Sequence, residues 1–311
     1  MSNPILALIP SGTLTQKVYS VLPSDGSGDF AFERNGKGTR VNKDGLIETI
    51  GTSVDDLARL DWLNSNCPSL LIEPLRTNRQ VRSEELDNAS WSKTNTTVTA
   101  NQTTAPTGEL TADKLSRTST AANYVSGLSS KSASSQLDAV SSVFVKQGQG
   151  DFIAFRAQGS YPNRADAIFQ FSTKTLTTSV AGSNFSVTSS QVQDYGNGWF
   201  RLSIVYNTDT AATLASLLSP RDTSGQVDAT DTSTTAFAYV WGVQFEEGST
   251  LSSYIPTTTI QTRFADVCSV TTPAGVAKIT ETFADNTTNI ITTIPTTYTV
   301  SNGLIKKIIM N

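Results

Sequence analysis

The feature that most constrains this chain is a run of strict alternation near residue 240. From 236 to 246, Phe237, Tyr239, Trp241, Val243 and Phe245 alternate with Ala236, Ala238, Val240, Gly242 and Gln244. A period of two is the signature of a strand, whose successive side chains point to opposite faces. A face carrying five large apolar groups has to be buried. At ~25 cal/mol per Å² and roughly 150–200 Å² per side chain, it supplies several kcal/mol. Residues 199–206 repeat the pattern, with Phe200, Leu202, Ile204 and Tyr206 on one face and Trp199, Arg201, Ser203 and Val205 on the other. Tyr195-Gly196-Asn197-Gly198 reads as the turn before them. Residues 143–156 read as a hairpin about the turn 147–151, and Asp44-Gly45 marks a second hairpin between 39–41 and 46–47.

Composition agrees with strands. Charged residues make up 16% of the chain and hydrophobic ones 37%, so Ser, Thr, Asn and Gly fill the difference. Thr, Val, Ile and aromatics suit a pleated, half-buried surface, and turn residues recur every ~8–15 positions between 89 and 256, as in a sandwich or barrel. The expected fold is all-β, a jelly-roll sandwich with flanking modules. Texture divides the chain into a charged N-terminal region at 1–88, a Ser/Thr-rich sandwich at 89–256, and a C-terminal β module at 257–311. Residues 53–63 allow a short helix with Ser53 as its cap. Residues 304–310 form an apolar strand whose Lys306 and Lys307 read as guards of an exposed edge.

Several chemistries are excluded or disfavoured. The 311 residues include no histidine, which removes the usual general base and the commonest metal ligand. No metal, no cofactor and no catalytic residue is expected. Glu246 and Glu247 are adjacent and so point to opposite faces, whereas paired glycosidase carboxylates must face each other. Gly36-Lys37-Gly38-Thr39 lacks the spacing of a phosphate loop and reads as a turn. A net charge of -4 offers no footprint for nucleic acid. The apolar runs are too short to cross a bilayer as a helix. Met1 and the residues after it lack a basic leader segment, so synthesis in a cytoplasm without a cleavable leader is expected. Cys67 and Cys268 read as two buried small hydrophobes; a bond between them would close a loop of roughly 200 residues.

Three sets of stretches resemble a family of phage virion proteins found in phages of Bacteroidetes and in environmental tailed phages. The first runs from Tyr19 through Leu22-Pro23-Ser24-Asp25-Gly26-Ser27-Gly28-Asp29-Phe30 and continues in Thr39-Arg40-Val41-Asn42-Lys43-Asp44-Gly45. The second is Cys67-Pro68-Ser69-Leu70-Leu71-Ile72-Glu73-Pro74, followed by Ser83-Glu84-Glu85-Leu86 and Trp91. The third joins Val240-Trp241-Gly242-Val243-Gln244-Phe245-Glu246-Glu247-Gly248 to Ser253-Tyr254-Ile255-Pro256-Thr257. Leu75 and Phe264 depart from the polar residues frequent at those places. The resemblance implies a jelly-roll of carbohydrate-binding type on a head fibre or spike, a tail fibre or a baseplate, assembled as a homotrimer with other virion proteins on the virion surface. It implies no enzymatic activity.

A glycan site on such a scaffold needs an aromatic platform and polar hydrogen-bonders on one exposed face. Trp199 and Arg201 share a face, and Lys146, Arg156, Tyr161 and Arg164 lie in or near turns of the same sandwich. These six are the expected carbohydrate-binding residues, with host-surface or mucus glycans as ligands. Arg34, Arg40, Arg76, Arg79 and Arg82 are the expected contacts to other virion proteins, because arginine forks hold carboxylates at interfaces. The competing readings are a purely structural decoration or baseplate protein and a polysaccharide depolymerase.

Overall fold

The computed structural model describes residues 3–51, 56–63 and 65–311. Every regular element among them is a strand. The chain divides into two compact units. One is formed by residues 1–76 together with 263–311, the other by residues 77–262. The N- and C-terminal regions, separate modules by sequence texture, thus share one unit, and the sandwich begins and ends further out than the expected bounds of 89 and 256.

The central unit is a jelly-roll β-sandwich. Its twelve principal strands are β1 (Trp91–Thr94), β2 (Thr96–Thr103), β3 (Ala112–Arg117), β4 (Tyr124–Ser130), β5 (Asp138–Gln149), β6 (Phe152–Gln158), β7 (Arg164–Gln170), β8 (Thr175–Ala181), β9 (Ser186–Asp194), β10 (Trp199–Asn207), β11 (Thr213–Arg221) and β12 (Phe237–Glu247). The front sheet has the order β1-β4-β11-β6-β7-β8 and the back sheet the order β2-β3-β12-β5-β10-β9. Between them lies one apolar core. Ile153, Phe155 and Phe169 of the front sheet meet Val143, Phe200, Leu202, Ile204, Tyr206, Val240 and Phe245 of the back sheet.

The alternation in β10 holds as read, with Phe200, Leu202, Ile204 and Tyr206 facing the core. That in β12 does not. Ser142 pairs with Gln244 but Phe144 pairs with Trp241, so β12 carries one extra residue there. The bulge sits at Gly242, whose φ is +62°, and a side chain at that position would lie 2.9 Å from the Phe144 ring. Such a bulge exchanges the faces of everything beyond it. Ala238, Val240, Val243 and Phe245 therefore point inward, and Phe237, Tyr239 and Trp241 point outward. The expected hairpin at 143–156 is likewise a corner: β5 and β6 lie in opposite sheets, and the chain crosses between them at Gly150, whose φ is +102°.

The other unit has a six-stranded and a five-stranded sheet around a second core containing Leu6, Phe30, Phe32, Leu70, Ile72, Ile305 and Met310. Gly303–Met310 is an interior strand, paired with Ile279–Phe283 on one side and with Leu6–Leu8 and Ser69–Ile72 on the other. Lys306 and Lys307 thus guard no free edge. The Asp44-Gly45 hairpin forms between Gly38–Val41 and Ile47–Ile50. Of the expected helix, Ser53 lies outside the described residues, and Arg59–Asp61 is a strand held to Ser69–Ile72. Cys268 is buried, Cys67 is exposed, and neither is bonded.

Candidate functional site

The outer face of the front sheet carries a connected polar cluster. On β6 and β7 the inward positions are Phe155, Ala157, Ala165 and Ala167, which leaves Arg156, Gln158, Arg164 and Asp166 facing out. Register sets Arg156 opposite Asp166 and Gln158 opposite Arg164. The Arg156 Nε donates to Asp166 Oδ1 at 2.5 Å, and the Arg164 Nε donates to Asp166 Oδ2 at 3.0 Å. One buried carboxylate therefore holds two guanidinium groups.

A loop completes the cluster. Between β11 and β12 the chain folds around the guanidinium of Arg221, which donates to the carbonyls of Thr223, Gln226, Ala229 and Thr230 at 2.6–3.1 Å. A side chain at Gly225 would lie 2.6 Å from that guanidinium, so glycine is required there. Asp231 ties the other end, accepting from the amides of Asp222 and Thr232 and from the Thr223 hydroxyl. Burial pushes the Asp231 carboxyl up, but these hydrogen bonds outweigh it and hold the group below its ordinary range. Val227 anchors the loop, buried against Ala154 and Leu217 on the outer face of the sheet. So placed, Asp228 accepts both terminal nitrogens of Arg156 at 2.9 and 3.0 Å, and Gln226 accepts from Arg164 at 3.3 Å. The two-point hydrogen bond from Arg156 holds the Asp228 carboxyl below the usual carboxylate range.

Beside this network stands Tyr161, 73% exposed. Its ring lies 5.6 Å from the Arg164 guanidinium carbon. The turn that carries it is fastened by Asp209, which accepts from the Ser160 amide at 2.7 Å and from Asn163 at 3.3 Å. A side chain at Gly159 would collide with that carboxylate at 2.3 Å, so the close approach needs glycine. The result is an exposed aromatic ring carried on a fastened turn next to fixed donors and acceptors. Binding sites combine such a platform with a few placed polar groups, and fixing them beforehand lowers the ordering cost of binding. Both arginines are matched by carboxylates, so the cluster presents hydrogen-bonding groups without a surplus cation.

The six residues expected to bind carbohydrate separate onto two sheets. Tyr161, Arg164 and Arg156 meet on the front sheet, although Arg156 is itself buried beneath Asp228. Trp199 and Arg201 are corrections to the expectation of an exposed platform. Trp199 is only 2% exposed, and its indole N–H donates to the Thr104 carbonyl at 3.0 Å. Arg201 is buried over the Phe144 ring and donates to the Ser252 carbonyl. They face outward from the back sheet as read, but Thr104 covers the indole and Ser252 the guanidinium. Lys146 lies opposite Trp199 on the back sheet and is partly exposed. Asp166, Asp228 and Gln226 are absent from the expected set. Asp166 has a signal in the sequence, since it shares the outward face with Arg164 two positions away; Asp228 has none.

The five arginines expected at a virion interface are distributed over both units. Arg34 is buried and paired with Asp266 at 3.1 Å, beside an Arg59–Glu73 ion pair at 2.6 Å, so it presents no contact surface. Arg40 pairs with Glu48 and stacks on Trp62. Arg76 is partly exposed and donates to the Leu75 carbonyl. Arg79 pairs with Glu247, and Arg82 with Glu85. Glu246 is buried and closes the turn to Ser252, accepting from its amide and its hydroxyl. Burial pushes that carboxyl up. Glu246 and Glu247 thus have separate structural partners. Among the described residues no group of three or more acidic or cysteine side chains is placed to hold a metal ion.

No protein-family model matches this chain, and no curated protein matches it. A solved structure of a Bacteroides thetaiotaomicron VPI-5482 protein, itself proposed to bind sugar, aligns with 54% of this chain and 95% of its own length, at 8% identity and a TM-score of 0.30.

Proposed function

We propose that this chain is a recognition protein of a bacteriophage particle, and that the front sheet of its sandwich binds neutral glycans of the host surface or mucus. The observation that carries the glycan reading is the exposed Tyr161 ring fixed beside the Arg164–Asp166–Arg156–Asp228 network. An amphipathic ring offers a sugar's apolar face a flat partner, while Gln158, Gln226, Asp228 and Arg164 supply acceptors and donors for its hydroxyls. Because each guanidinium already has a carboxylate, an anionic sugar would find no unmatched charge, and neutral sugars are favoured. The placement on a virion surface, as a homotrimer with other particle proteins, rests on the sequence resemblance described above. Binding occurs without turnover in this reading, since the two carboxylates at the site, Asp166 and Asp228, are both held by Arg156, and Glu246 and Glu247 lie on the other sheet with structural partners of their own.

A glycan array with the full chain tests this directly. Neutral oligosaccharides should bind, and Tyr161→Ala should weaken the best of them at least about tenfold, the loss of an aromatic anchor, with the melting temperature unchanged. A chain that binds no glycan, while particles lacking it fail to assemble, would make the protein purely structural. Release of reducing sugar from host capsule would make it a depolymerase.

A further inference from the structure

The back sheet holds a second cluster, distinct from the Tyr161 site. The bulge at Gly242 that turns Val243 and Phe245 inward leaves Phe237 and Tyr239 on the outer face. There Tyr239 pairs with Lys114 of β3 on one side and with Lys146 of β5 on the other. Residues directly opposite on neighbouring strands lie ~5 Å apart at Cβ, so the tyrosine ring has an ammonium-bearing chain on each flank. Phe237 packs edge-on to Tyr239 with ring centres 5.7 Å apart, and the Lys114 Nζ stands 3.9 Å from the Phe237 ring centre. In the neighbouring row, Phe144 and Trp241 are buried under Tyr254. The lysine row stays partly exposed.

The charge pattern is the reverse of that on the front sheet. Among the described residues, the lysines joined to carboxylates are Lys17 and Lys174. Lys114 and Lys146 have no such partner there. Two unmatched cations thus flank one aromatic ring on a protein whose net charge is -4. We propose that this row is a second saccharide site, selective for acidic sugars. The Tyr239 ring takes the face of a pyranose, and the two ammonium groups take its carboxylate or sulfate oxygens. Nucleic acid fits less well, because two lysines fall short of the basic track that a phosphate backbone engages. This site does not depend on the front-sheet reading.

Titration calorimetry of the full chain at about 50 mM salt, where surface charges are little screened, decides the matter. The probes are a galacturonic acid tetrasaccharide, its methyl ester, a heparin-derived hexasaccharide and a short thymidine oligonucleotide. At least one acidic saccharide should bind, and the methyl ester should bind roughly tenfold or more weakly than the free uronate. The double substitution Lys114→Gln, Lys146→Gln should weaken the acidic ligand by a similar factor without lowering the melting temperature, and Tyr161→Ala should leave it unchanged. Equal binding of ester and acid, indifference to the double substitution, or tighter binding of the oligonucleotide would overturn the proposal. So would loss of acidic-sugar binding in Tyr161→Ala, or no binding of either acidic saccharide.

Discussion

The two outer faces of the sandwich solve the same problem in opposite ways. Each sheet presents outward-facing aromatic and cationic side chains that an apolar core cannot accept. On the back sheet the chain folds over most of them. Trp199, Arg201, Phe144 and Trp241 are buried beneath Thr104, Ser252 and Tyr254. On the front sheet the arginines are instead neutralised in place by Asp166 and Asp228, and Tyr161 is left in solvent. The lesson is that facing outward in a strand does not mean facing water. Cover or counter-charge supplied by other segments of the chain decides whether an outer face can bind anything.

The sharpest way to break this comparison is to remove one central residue from each face. Trp199→Ala deletes a buried indole and should cost about 3–5 kcal/mol of stability, seen in denaturant unfolding, with neutral-glycan affinity of the folded protein unchanged. Asp166→Ala leaves Arg156 and Arg164 without their shared carboxylate. Breaking a buried pair should cost a similar ~3–5 kcal/mol, and here glycan affinity should fall as well. If Trp199→Ala lost neutral-glycan affinity while Asp166→Ala kept it, the assignment of the neutral site to the front sheet would be reversed.

A smaller effect is expected one step away from the site. Arg221 touches no ligand in this reading, but its guanidinium holds the loop that delivers Gln226 and Asp228. Arg221→Ala should cost about 2–3 kcal/mol, from charged hydrogen bonds left unmade. It should raise protease cleavage within 222–231 and weaken neutral-glycan binding several-fold. Trp199→Ala should not increase cleavage there.

The smallest effect concerns pH. Asp228 and Asp231 are both held below their ordinary range. A carboxyl depressed in the folded state contributes stability that is present above its unfolded value, near 3.8 for aspartate, and is lost as pH falls through the folded value. Neutral-glycan affinity should therefore be flat from about pH 7 to pH 5 and decline only below about pH 4. A decline between pH 7 and 5 would point to a different titrating group.

These contrasts also explain what the sequence can reveal. Period-two runs in β10 and the turns at Asp44-Gly45 and 195–198 are legible because each depends on neighbours in sequence. The β12 face is not, because the register shifts at a single glycine, Gly242, against a strand about 100 positions away; a glycine inside a strand is a bulge signal, but only that distant pairing fixes which residues change face. The lysines at 306 and 307 resemble edge guards because nothing near them in sequence shows that Gly303–Met310 pairs with the N-terminal Leu6–Leu8 and joins the two ends of the chain. For the site, Tyr161, Arg164 and Arg156 are legible as an aromatic and two cations near a turn. Trp199 falls on its correct face, but the segment that buries it comes from residue 104. Asp228 is invisible because only the fold of the loop around Arg221 brings it to Arg156.

The most direct measurement is a backbone amide chemical-shift map of the sandwich during titration with the best neutral oligosaccharide from the array. Perturbations gathered at residues 156–166 and 226–228, and missing from the Tyr161→Ala variant, are what a front-sheet site requires. Perturbations centred on residues 114, 146 and 239, or none despite binding, would contradict it.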